Sequence, residues 1–124
     1  MHPSLLCRIA ALAALAWVVL PASPAFAHAI ILEASPSVGT TVHAGAVDVR
    51  LRFNSRIDRQ RSRLTLLDAG GKETAIKIDG NAPADVITTR IPSVAPGAYR
   101  LRWQVLALDG HITRGDIAFS VTAP

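Results

Sequence analysis

The chain has 124 residues, a formal net charge of +4 and 50% hydrophobic residues. That length holds one domain of ordinary size. The positive charge is too small and too loosely placed to make nucleic acid the partner: six basic residues fall within Arg50 to Arg63, but no aromatic platform is interleaved with them.

The first 27 residues read as a secretory leader. Arg8 precedes an apolar run from Ile9 to Leu20, then come Pro21 to Pro24 and the small-residue end Ala25-Phe26-Ala27. A positive start, a short apolar middle and a small-x-small end are the signature of a cleaved signal peptide. The apolar run is short for a transmembrane helix, which needs about 20 residues. Cutting after Ala27 leaves 97 of the 124 residues, with 12 basic residues against 9 acidic. It makes His28 the first residue of the mature chain. The only cysteine, Cys7, and the only methionine, Met1, depart with the leader, so the mature domain offers no sulfur ligand.

From His28 onward the sequence reads as short strands separated by turns. His28 to Ala34 is a first strand, ended by Ser35-Pro36-Ser37-Val38-Gly39. His43 falls in a loop. Val47, Val49, Leu51 and Phe53 alternate with Asp48, Arg50 and Arg52, the period of a half-buried antiparallel strand. The polar stretch Arg56 to Arg61 is expected to be a loop and Ser62 to Leu67 a third strand, closed by Asp68-Ala69-Gly70-Gly71. Thr74 to Ile78 and Val86 to Ile91 are the fourth and fifth strands, and Pro92 to Gly97 turns the chain. Tyr99 to Ala107 is the clearest strand, with Tyr99, Leu101, Trp103, Val105 and Ala107 on one side. Tyr99 and Trp103 are expected in the core. A loop from Leu108 to Asp116 leads to a last strand with Ile117, Phe119 and Val121. Seven short strands without a helical period predict an all-β sandwich of immunoglobulin-like size.

The chemistry concentrates in Asp109-Gly110-His111. Residues i and i+2 of an extended segment project to one side, so Asp109 and His111 can face one point. Two such ligands alone make a weak metal site. A histidine exposed by leader cleavage strengthens it, because His28 can chelate through its α-amine and its Nδ1. Three nitrogens and one carboxylate oxygen form the tetragonal set that Cu(II) prefers, and Cu(II) leads the divalent affinity order. Zinc accepts the same donors and is the competing metal. Cu(I), which prefers thiolate or thioether, finds neither here.

These residues make the sequence resemble the CopC family of periplasmic copper-binding proteins. The resemblance runs from His28 to about Val121. It is carried by His28-Ala29, the Ser35-Pro36-Ser37-Val38-Gly39 turn, Val49-x-Leu51-x-Phe53, Pro96-Gly97-Ala98-Tyr99, Asp109-Gly110-His111, Gly115 and Phe119-Ser120-Val121. It implies a Greek-key β-sandwich or barrel at residues 28–124, behind a signal peptide at 1–27. It also implies one Cu(II) per mature chain, held by His28 (amine and imidazole), Asp109 and His111. The expected role is periplasmic: to sequester copper or deliver it to an inner-membrane copper transporter, as a non-enzymatic monomer that binds no nucleic acid. The sequence departs from the family in three places. It lacks the methionines of a Cu(I) site, it carries Asn54 and Ser55 where some members have an acidic residue, and Ile112 stands where proline is frequent. Two other functions compete, a histidine-brace copper oxidase or monooxygenase and a metal-free module that binds a partner protein.

Overall fold

The computed structural model describes residues 29–124. The expected leader and His28 lie outside the described residues. What is described is all-β: β1 (Ile31–Ser35), β2 (Thr41–His43), β3 (Gly45–Phe53), β4 (Ile57–Leu67), β5 (Glu73–Ile76), β6 (Val86–Val94), β7 (Gly97–Ala107) and β8 (Ile112–Thr122). The strands form two sheets, a three-stranded one ordered β1-β3-β6 and a five-stranded one ordered β2-β8-β7-β4-β5. The chain crosses between sheets from β3 to β4 and again from β6 to β7. Because β3 pairs with β6 and β4 with β7, these crossings interlock in the Greek-key manner.

The alternating residues explain the sandwich. Val47, Val49, Leu51 and Phe53 of β3 and Leu101, Trp103 and Val105 of β7 are buried, while the residues between them face outward. The two inner faces meet in one core. Phe53 reaches Trp103 across the sheets, edge to face, with ring centroids 5.5 Å apart. Gly115 lies opposite Trp103 on β8. A Cβ there would come within 2.7 Å of the indole, so Trp103 occupies the space a side chain would need. Tyr99 is half-buried and stacks on Phe119, and its hydroxyl donates to the Ala95 carbonyl at 2.7 Å. That bond, reaching back four residues, pins the β6–β7 corner.

Four expectations change. The described residues form eight strands, not seven, because Thr41–His43 forms β2, parallel to the end of β8. His43 is therefore a strand residue, paired with Thr122. β2 has one inward apolar residue and a partner about 80 residues away, so no local period announces it. The supposed loop Arg56 to Arg61 belongs mostly to β4, which starts at Ile57. Its register with β7 is irregular between Asp58 and Arg63. Ser62 bridges that break, its Oγ donating to the Asp58 carbonyl at 2.6 Å and accepting from the Leu106 N–H at 3.3 Å. The supposed loop Leu108 to Asp116 is a short turn, with β8 paired from Ile112 onward. β6 likewise continues past Pro92 to Val94. Proline is tolerated there because β6 is the edge strand of its sheet.

Candidate metal centre

The β7–β8 hairpin turns tightly. The Gly110 N–H donates to the Ala107 carbonyl at 3.0 Å, and the Ala107 N–H donates to the His111 carbonyl at 2.9 Å. This is the pattern of a three-residue hairpin loop with a glycine bulge, which requires a left-handed residue near its end. Gly110 fills that place with φ +89°.

Asp109 organises the turn with both carboxylate oxygens. Oδ1 accepts from the His111 backbone N–H at 3.0 Å, an Asx turn. Oδ2 lies 3.0 Å from His111 Nδ1. A neutral imidazole with its proton on Nδ1 donates to that oxygen and carries its lone pair on Nε2. The carboxylate therefore selects the tautomer and the ring orientation, the usual relation between a metal-binding histidine and its supporting acid. The Asp109 side chain is 25% exposed and that of His111 62%, so the acid sits partly under the ring.

Two other segments converge on this end. Ile57 of β4 pairs with Ala107, which brings the β3–β4 connection alongside the hairpin. Asn54, in that connection, clamps the start of the described chain: its Oδ1 accepts from the Ile30 N–H at 2.8 Å and its own N–H donates to the Ile30 carbonyl at 2.9 Å. Ala29, one residue earlier, is fully buried. Ser55 and Thr113 each carry a buried hydroxyl oxygen without a hydrogen-bond partner among the described residues. Both belong to the segments that meet here.

Of the three sequence-derived site residues, the structure brings Asp109 and His111 together, and the third, His28, is outside the described residues. Among the described residues no three His, Cys, Asp or Glu side chains are grouped to hold a metal ion. His43 pairs with Thr122, ten residues along β8 from Ile112. That is about 33 Å at the rise of a strand, so His43 stands apart from the hairpin turn. Sequence reasoning missed the clamp by Asn54, which it marked only as a departure from an acidic position of the family. It also missed Arg59, which donates to the carbonyls of Ala82, Pro83 and Val86 and ties β4 to the loop before β6.

The CopC domain family matches residues 31–122, nearly all of the described fold. The chain belongs to the CopC family. Copper resistance protein C of Xanthomonas campestris pv. juglandis is 31% identical over 113 residues, spanning 82% of this chain and 86% of its own. Copper transport protein CutJ of Bacillus subtilis (strain 168) is 26% identical over 102 residues, 77% of this chain. The match spans only 18% of CutJ's length. Among solved structures, CopC from Methylosinus trichosporium OB3b superposes with a TM-score of 0.71 at 33% identity, over 77% of this chain and 95% of its own. PcoC, a methionine-rich copper resistance protein from Escherichia coli, has a TM-score of 0.59 at 21% identity over 77% of this chain and all of its own, and shares the fold. The all-β sandwich with its CopC topology is thus common to this chain and these structures.

Proposed function

We propose that this CopC-family chain is an exported copper-binding protein that holds one Cu(II) through His28, Asp109 and His111. The observation that carries the reading is the hairpin turn, where one carboxylate orients one imidazole from 3.0 Å. The burial of Ala29 and the pair of hydrogen bonds between Ile30 and Asn54 support the third ligand.

Each donor has its own part. Cleavage after Ala27 frees the α-amine of His28, which joins its Nδ1 in a chelate. His111 supplies Nε2. Asp109 contacts His111 through both carboxylate oxygens. Ligation by Asp109 asks one oxygen to turn from Nδ1 to the ion, where its charge offsets part of the metal's. With no sulfur donor, the site favours Cu(II) and gives Cu(I) no matching ligands. The role that follows is sequestration in the periplasm or delivery to a membrane copper transporter, in keeping with relatives named for copper resistance and copper transport.

Electron paramagnetic resonance of the mature protein with one equivalent of Cu(II) tests this ligand set. A tetragonal spectrum with three nitrogen couplings is expected, reduced by one nitrogen in His111→Ala. Identical spectra of the two proteins would remove His111 from the site. Ascorbate-driven peroxide formation by the loaded protein is expected to stay at the level of free copper. Sustained turnover above that level would instead favour the oxidase reading.

A further inference from the structure

The outward face of the β7–β8 hairpin is ordered in rows by its register. Nearest the turn, Leu106 of β7 stands between Ile112 of β8 and Asp58 of β4, whose carboxylate faces Arg61, and Leu108 follows in the turn itself. Leu108 is 67% and Ile112 55% exposed, which sets an aliphatic patch in water beside Asp109 and His111. In the next row Arg63 of β4 pairs with Gln104 and Gln104 with Arg114. One row further, Thr65, Arg102 and Asp116 are aligned in the same way. These two rows line one shallow groove.

The charges in the groove are unevenly matched. Arg102 is neutralised by Asp116 at 2.9 Å and by Glu73 at 3.7 Å. Arg63 and Arg114 are exposed and have no carboxylate partner among the described residues. They stand two strand spacings apart, about 10 Å. Between them Gln104 offers both a donor and an acceptor, the pair that a peptide backbone needs. Neither the exposed aliphatic side chains nor the uncompensated guanidiniums help the sandwich fold. Together they have the make-up of a docking surface, an apolar centre with arginine beside it.

We infer that this face docks a partner protein, whose carboxylates pair with Arg63 and Arg114 while its aliphatic side chains cover Leu106, Leu108 and Ile112. The charge selects an acidic segment. The place of the patch, on the turn that carries Asp109 and His111, gives the contact its purpose: a docked partner would hold its own ligands beside the metal centre. The purpose rests on the copper reading, whereas the docking itself requires no metal.

The test uses the metal-free mature protein and a fluorescent eight-residue peptide alternating Glu and Leu. The same peptide with Gln for Glu, and vesicles of phosphatidylglycerol and phosphatidylcholine, serve as competitors. Saturable binding of the acidic peptide is expected, weakening as salt rises. The Arg63→Gln/Arg114→Gln double variant should bind it about tenfold more weakly, a change of about 1.4 kcal/mol. Leu108→Ser should also weaken binding, and Cu(II) affinity should be unchanged in the arginine variant. Equal peptide binding by the arginine variant would overturn the proposal. So would preference for the Gln peptide or the anionic vesicles, or the absence of saturable binding below millimolar peptide. A protein that binds peptide but no copper would leave the docking face standing and remove the copper reading alone.

Discussion

Asp109 has two duties that substitution can separate. Asp109→Asn keeps an oxygen to accept from the His111 N–H but loses the charge. Copper affinity is expected to fall by at least about 10- to 100-fold, because the variant loses both the anionic ligand and the carboxylate that orients His111, with the melting temperature little changed. Asp109→Ala removes the turn bond as well and should also cost about 1 kcal/mol of stability in chemical denaturation. Equal copper affinity in wild type and Asp109→Asn would show that the carboxylate only shapes the turn. Gly115 marks a different constraint. Gly115→Ala pushes a methyl group into Trp103 and should destabilise the fold by about 1–3 kcal/mol. Unchanged stability would mean that the indole has room to yield. At this scale, Asp109 and His111 were legible because the pair is two residues apart and its chemistry is local. Asn54 was not, because its partner Ile30 lies 24 residues away in the sequence.

At the scale of elements, legibility follows the length of the apolar alternation. β3 and β7 each bury several alternate residues, and the sequence declares both. β2 buries little and takes its hydrogen bonds from the far end of β8, so nothing nearby signals it. The start of β4 is polar because Arg59 and Ser62 use side-chain hydrogen bonds to hold an irregular stretch. The strands are also joined on their wet faces by ion pairs. Arg102 beside Asp116 and Arg52 beside Glu33 hold the two carboxyl groups below their ordinary values, chiefly by hydrogen bonding. A carboxyl depressed in the folded state adds stability that is complete above its unfolded value and is lost as pH falls through the folded one. Stability of the metal-free protein is therefore expected to hold from pH 7 to about 5 and to decline below about pH 4. Asp116→Asn and Glu33→Gln together should flatten that decline in urea titrations. An acid limb of the same slope in the double variant would place its origin elsewhere.

At the scale of the whole molecule, the sandwich acts as a rigid holder for one end. Its interlocked crossings bring the hairpin turn, the β3–β4 connection and the Asn54-clamped start of the described chain to the same place. The fold class and the pairing of Asp109 with His111 were readable from patterning and motif. The convergence was not, since it depends on pairings such as Ile57 with Ala107 that are distant in sequence. A copper site assembled as proposed would bind its ion in competition with protons on its ligands. Copper affinity is thus expected to fall as pH drops from 7 to 5. An affinity flat between pH 7 and 5 would contradict this ligand set. The most direct test is a Cu(II) titration, against a competing chelator, of protein beginning at His28 and of the same protein with one alanine added before it. Trp103, the tryptophan that remains when the leader is removed, reports binding. The account predicts tight one-to-one quenching that the added alanine weakens by orders of magnitude. Equal binding by the two proteins would contradict a terminal amine as ligand, and with it the copper centre proposed for this chain.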